Sequence, residues 1–137
     1  MTTLHTYFSY VDAEAALTWL AEAFGFETTM RWDDEHGVAH AELRVGDAAI
    51  IVFSDDGLGY DRMHPKANDA AGHGTYLAVA DSAAVDAVWA RALAVGAVPV
   101  WKPENTEWGN YRCRIRDLEG YEWSFGTHKP GEPSEDW

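Results

Sequence analysis

The chain carries one pattern twice. His5-Thr-Tyr-Phe-Ser-Tyr-Val-Asp12 leads into an apolar helical stretch that ends at Gly25, and Gly74-Thr-Tyr-Leu-Ala-Val-Ala-Asp81 leads into another that ends at Gly96. In each copy a short extended segment meets an aspartate suited to cap a helix, and a glycine supplies the stop. Two equal strand–helix units must bury their apolar faces in related ways, so the duplication narrows the fold sharply. The copies differ where they open, on a histidine and on a glycine.

The remaining segments complete each unit. Residues 4–11 alternate as a strand, and Leu17, Leu20 and Phe24 mark a helix over 13–24. Extended segments follow at 27–32, 38–45 and 48–53, separated by Asp33-Asp34-Glu-His-Gly37 and by the hairpin signal Gly46-Asp47. The second unit predicts a strand over 75–80, a helix over 82–95 on Val85, Val88, Trp89 and Ala92, and strands near 98–102, 111–116 and 121–126. One domain over 1–128 results, with module 1 at about 4–54, a linker at 55–73 and module 2 at about 74–128. The linker is rich in glycine and aspartate and longer than an idle connection, so it is a candidate lid. Residues 129–137 form a flexible tail.

At 137 residues there is room for one core. Ten Lys and Arg against twenty-three Asp and Glu give a formal charge of −13, which argues against nucleic acid and would concentrate cationic ligands. No apolar run approaches the ~20 residues of a membrane span, and no basic-apolar leader is recognised, so a cytoplasmic protein with no membrane partner is expected. Cys113 is the only cysteine and sits in an apolar alternation, which predicts a buried structural thiol. Of seven tryptophans, Trp19, Trp89 and Trp123 fall on core positions. Trp32, Trp101, Trp108 and Trp137 fall near strand ends or in loops, where an indole more often meets a ligand or partner.

Alternation assigns faces to the strands. Arg112, Arg114 and Arg116 oppose Tyr111, Cys113 and Ile115; Glu122 and Ser124 oppose Trp123 and Phe125; His40 and Glu42 oppose Ala41 and Leu43. His5, Tyr7 and Ser9 oppose Phe8 and Tyr10. The polar faces admit two readings. One is an Arg–Glu ladder whose pairs contribute ~0.2–1 kcal/mol each. The other is a pocket with aromatic walls and a few placed polar groups. The pocket reading proposes Tyr7, Trp32, His40, Glu42, Trp101, Trp108, Tyr111, Arg112, Arg114 and Glu122 as ligand-binding residues.

The order of elements, the acidic caps and the ending Arg116-Asp117-Leu-Glu-Gly120-Tyr-Glu-Trp123-Ser-Phe-Gly-Thr-His128 resemble the vicinal oxygen chelate superfamily. This is the group of glyoxalase I, extradiol dioxygenases and bleomycin-resistance proteins, and the ending is most similar to its branch closing on Trp-Ser-Phe-Gly-Thr. The resemblance spans residues 4–128, with Leu118 where the family's closing turn usually has proline. It implies an α+β fold of two βαβββ modules forming cupped mixed sheets, often completed across a homodimer, with the ligand on the concave side. In the family's enzymes a divalent metal is held there by one residue from the first and one from the last strand of each module. Those positions are His5, Ile51 or Val52, Gly74 and Ser124, so only His5 matches a ligand.

A lone imidazole does not hold Zn²⁺, Ni²⁺ or Fe²⁺ against water. The expectation is therefore a protein with no metal and no cofactor, homodimeric, that sequesters a small aromatic, cationic compound such as an antibiotic without breaking a bond. The alternative is a glyoxalase- or dioxygenase-like enzyme with one divalent metal on rearranged ligands around His5, His40, Glu42 and His73. A third reading uses Glu42 or Glu122 as a base without metal.

Overall fold

The computed structural model describes residues 1–55 and 73–132. Module 1 comprises β1 (Thr6–Tyr10), α1 (Ala13–Phe24), β2 (Glu27–Asp34), β3 (Gly37–Val45) and β4 (Ala48–Ser54). Module 2 comprises β5 (Thr75–Ala78), α2 (Ser82–Ala94), β6 (Val98–Asn105), β7 (Tyr111–Arg116) and β8 (Glu122–Gly126). Both helices begin as the sequence predicts. The Asp12 carboxylate accepts the Ala15 N–H at 2.9 Å and the Asp81 carboxylate accepts the Ala84 N–H at 2.9 Å, each filling a vacancy in the first turn. Gly25 ends α1 in the left-handed conformation, at φ 81°.

Each module forms a four-stranded mixed sheet, ordered β1-β4-β3-β2 and β5-β8-β7-β6. The first strand lies parallel to the last, and the other pairs are antiparallel. Observed bounds differ from the expected ones mainly at the ends. β2 and β3 run on to Asp34 and Gly37, which shrinks their turn to Glu35-His36. β6 continues to Asn105 through Pro103, because an edge strand tolerates a missing N–H on its open side. β5 stops at Ala78, two residues short of the expected end.

Helices α1 and α2 pack on one another, and each also lies on its own sheet. The two sheets therefore enclose the helices and share one core. Phe8 stacks on Trp123 with ring centroids 4.9 Å apart, and Phe24 stands 4.9 Å from both Trp123 and Phe125. Trp19, Trp123 and Cys113 are buried as expected, whereas Trp89 is only partly buried at the core's margin. Consequently each sheet turns its other face outward, and the two outward faces lie on opposite sides of the helical layer.

The closing turn of module 2 is fastened to the strand–helix junction of module 1. The buried Asp117 carboxylate accepts the Tyr10 hydroxyl (2.7 Å), the Trp123 indole N–H (3.0 Å) and the backbone N–H groups of Glu119 and Tyr121. The Glu119 carboxylate accepts the N–H groups of Val11 (2.7 Å) and Asp12 (2.9 Å), and the Tyr121 hydroxyl donates to the Ser9 carbonyl at 2.8 Å. Burial raises the Asp117 pKa, and its four donors pull the other way without cancelling that shift. Leu118, in the place of the expected proline, is exposed and takes no part in these bonds. Of the expected linker and candidate lid at 55–73, residues 56–72 lie outside the described residues, as does Trp137 with the rest of 133–137.

Candidate functional site

The outward face of module 1 is built by strand register. Tyr7 pairs with Ile51, Ile51 with Glu42 and Glu42 with Met30, which sets one row of side chains across all four strands. Trp32 pairs with His40, and Ser9 with Phe53. Tyr7, Met30 and Trp32 are exposed, Trp32 by 68%. Ser9, expected on this open surface, is instead fully buried. His40 Nε2 lies 2.7 Å from a Glu42 carboxylate oxygen, so the two expected neighbours form one hydrogen-bonded pair. A cavity of about 380 Å³ opens here, lined by Tyr7, Asp34, His36, His40, Ile51 and Phe53.

The outward face of module 2 follows the same register. Tyr76, Ser124, Arg114 and Trp101 form one row, with Arg112 opposite Glu104 and Arg116 opposite Glu122 in neighbouring rows. The guanidinium carbons of Arg114 and Arg112 lie 4.0 and 4.6 Å from the Trp101 ring centroid. Arg114 Nε donates to Ser124 Oγ at 2.8 Å, Arg112 reaches Glu104 at 3.4 Å, and Arg116 reaches Glu122 at 3.2 Å. A cavity of about 420 Å³ is lined by Tyr76, Trp101, Trp108, Arg112, Arg114 and Ser124. Trp108 at its rim is exposed and stands edge-on to His128. Of the Arg–Glu ladder, Arg112 and Arg114 line this cavity.

Two expectations need correction. Tyr111 is not a rim residue of this face. It shares the helix side with Cys113 and Ile115, and its hydroxyl donates to Asp86 of α2 at 2.6 Å. Its place opposite the arginines in the strand alternation agrees with this position. The ten proposed residues also do not form one pocket within a chain. Tyr7, Trp32, His40 and Glu42 lie on one face, and Trp101, Trp108, Arg112, Arg114 and Glu122 on the other, with α1 and α2 between them.

A support beneath the module 2 face had no expected counterpart. Asn110, buried, accepts the N–H groups of Thr127 and His128 at 3.0 Å each, and the Tyr76 hydroxyl donates to the His128 carbonyl at 2.6 Å. A Cβ on Gly126 would stand 2.6 Å from Asn110 Oδ1 and closer still to the Tyr76 hydroxyl. The glycine in Trp-Ser-Phe-Gly-Thr is thus fixed by close approach, a signal present in the sequence but assignable only once its neighbours are known.

The residues at the family's metal positions do not fit a divalent ion. His5 is exposed, and its ring nitrogens meet the Ala49 carbonyl (3.0 Å) and the Thr3 hydroxyl (2.8 Å). It is a satisfied histidine immediately before β1. Ile51 and Gly74 offer no donor atoms, and Ser124 Oγ is engaged by Arg114. Among the described residues no three His, Cys, Asp or Glu side chains are grouped to hold a metal ion. Nor is any described helix long and apolar enough to cross a membrane.

Residues 3–125 match the family model described as the glyoxalase/bleomycin resistance protein/dioxygenase superfamily. Among solved structures, the chain is similar to TioX from Micromonospora sp. ML1, with 27% identity and a TM-score of 0.69 over 94% of this chain and 100% of that one. A lactoylglutathione lyase from Agrobacterium tumefaciens is 23% identical with a TM-score of 0.65, over 91% of this chain and 92% of that one. A glyoxalase/bleomycin resistance protein/dioxygenase family enzyme from Burkholderia phytofirmans PsJN is 20% identical with a TM-score of 0.68, over 89% and 94%. These last two likenesses speak to the fold. No curated protein matches the sequence.

Proposed function

Since the chain belongs to the glyoxalase/bleomycin resistance protein/dioxygenase superfamily, we propose that it acts as a metal-free binding protein that sequesters a small aromatic, cationic compound of the antibiotic class. The observation that carries this reading is the pairing of a lost donor set with retained aromatic faces. Ile51, Gly74 and Ser124 stand at the family's ligand positions, yet Tyr7, Trp32, Trp101 and Trp108 remain exposed on the outward faces. No bond need be made or broken, and lowering the free concentration of a toxic compound is the whole mechanism.

The two faces divide the work. Trp101 already carries two guanidinium groups, so a ligand cation stacking there would meet like charge. The cationic end of the ligand belongs at the module 1 face, where Tyr7 and Trp32 offer cation–π contacts of ~0.5–2 kcal/mol each and Glu42 supplies the countercharge. Arg112 and Arg114 suit carbonyl or other electron-rich oxygens at the opposite end. Each chain offers two open half-sites on opposite sides, so a homodimer that sets the module 1 face of one copy against the module 2 face of the other would enclose the ligand. The net charge of −13 would speed capture of a cation.

The experiment is a tryptophan-fluorescence titration against a panel of cationic aromatic compounds, bleomycin-class compounds included, with metal analysis of protein purified without chelators. Saturable quenching that is lost in Trp32→Ala is expected, with no stoichiometric metal. A panel without response defeats the binding reading. Stoichiometric metal that disappears in His5→Ala restores the metalloenzyme alternative.

A further inference from the structure

The duplicated modules meet at two equivalent junctions, and only one of them is filled. Asp12 and Asp81 cap the two helices, which sets an offset of 69 between the copies. Tyr10 of module 1 therefore corresponds to Val79, Phe8 to Leu77 and Trp19 to Val88. The sheet registers extend the correspondence. Thr6 pairs with Ile50 and Thr75 with Trp123, which makes Tyr121 the counterpart of Ala48. At the first junction the β7–β8 turn inserts Asp117 and Tyr121 against Tyr10 and Phe8. At the second, the tighter β3–β4 hairpin offers only Val45, Gly46, Asp47 and Ala48 to the space beside β5 and α2.

The missing rings leave a cavity. A space of about 640 Å³ opens between Val45–Ala48 of the hairpin, Leu77–Ala80, Val88 of α2 and Phe24 of α1. Tyr76 stands between it and the cavity of the module 2 face, and its walls are mainly apolar. Two cations line it together with the Asp47 carboxylate, and Lys129 is already paired with Glu132 at 3.3 Å. Arg91 corresponds to Glu22 of the first module, forms no ion pair among the described residues, and makes a single long bond (3.4 Å) from Nε to the Ala23 carbonyl. Both described ends of the chain around 56–72 lie at the other junction. The Asp55 N–H donates to the Tyr10 carbonyl there, and Gly74 abuts Glu122.

We propose that this inter-module cavity is a second ligand site, taking a compact aromatic molecule with one carboxylate. The filled junction shows what its geometry accepts, because two phenol rings occupy the corresponding volume. An aromatic ring in the empty junction would cover the same apolar walls, and its carboxylate would meet Arg91. The site stands independently of the proposed function of the outward faces and would act on the module interface rather than on the cup.

The test uses 3-phenylpropionate on the full-length, isotope-labelled protein, followed by amide NMR shifts. Saturable shifts are expected at Val45–Ala48 and Leu77–Ala80. Ala48→Phe, which copies the ring of the filled junction, should weaken binding by about tenfold or more through steric exclusion. Ala84→Leu serves the same purpose if that variant folds poorly. Arg91→Gln should weaken phenylpropionate by about threefold, the scale of a rim ion pair, and leave neutral 3-phenylpropanol unchanged. Shifts confined to Trp32, Trp101 and Arg112 would send the probe to the outward faces and overturn the proposal. Undiminished binding in both filled variants would overturn it too. So would shifts of the same amides on dilution without probe, which would mark the cavity as a contact between copies. A Trp32→Ala variant separates the sites, since it should abolish capture of the cationic panel without changing the phenylpropionate titration.

Discussion

Replacing Tyr10 by phenylalanine removes one oxygen from the joint between the modules and keeps the ring. Tyr10 is fully buried, and Asp117, which accepts its hydroxyl at 2.7 Å, is 3% exposed. A hydrogen bond to a charged acceptor contributes about 1.5–3 kcal/mol, and burial of both partners places this one toward the upper part of that range. The Tyr121 hydroxyl donates to a neutral carbonyl instead, so Tyr121→Phe should cost about 0.5–1.5 kcal/mol. A domain of this kind has about 5–15 kcal/mol in total, which makes both losses measurable by urea unfolding.

The pH dependence distinguishes this account from a packing effect. Asp117 has a raised pKa in the folded protein, so its protonated form favours folding, and that stabilisation is lost as the pH rises through the raised value. The Tyr10 bond opposes the loss by favouring the carboxylate. Without it the folded pKa rises further. The Tyr10→Phe deficit should thus be largest at neutral pH and shrink on acidification through the Asp117 titration, whereas the Tyr121→Phe deficit should change little. Unfolding curves followed by circular dichroism from pH 7 downward, at several protein concentrations to separate any association, provide the test. Equal losses in the two variants, or a Tyr10→Phe deficit independent of pH, would refute the reasoning.

Other outcomes follow from single contacts. Gly126→Ala should destabilise by about 1–3 kcal/mol, because its Cβ must displace Asn110 and Tyr76, and Tyr76→Phe in that background should recover part of the loss in thermal melts. Cys113 is 1% exposed with its thiol pushed up to about 11, so a disulfide-exchange reagent should label it only at the rate of unfolding; fast labelling of native protein would contradict the buried assignment. If Glu42 holds the cationic end of the ligand, Glu42→Gln should weaken capture several-fold and flatten its dependence on salt, read in the same fluorescence titration.

Much of the architecture was legible in the chain because it rests on local chemistry. Asp12 and Asp81 announced the helices, Gly25 the end of the first, and alternation in 111–116 separated the arginines from Cys113 and Ile115. Strand ends were less legible, because β6 and the β2–β3 hairpin are extended by pairing with a neighbour rather than by their own composition. Which side chains of the candidate site meet one another was less legible than the elements that carry them. His40 and Glu42, on one face by alternation, form a hydrogen-bonded pair and Trp101 lies against two arginines, while Tyr111 takes the helix side that its strand phase assigns.

What the sequence determined by itself is the fold, since a repeat and its caps are facts of order and identity. What only the tertiary structure decided is how the two copies meet. Packing α1 against α2 turns the two outward sheet faces away from each other, and it fills one junction with Tyr10, Asp117 and Tyr121 while leaving its twin open. Contacts between residues 107 positions apart, such as Tyr10 with Asp117, leave no periodic trace in a linear pattern. They exist only after both cores have formed and come to share one interior.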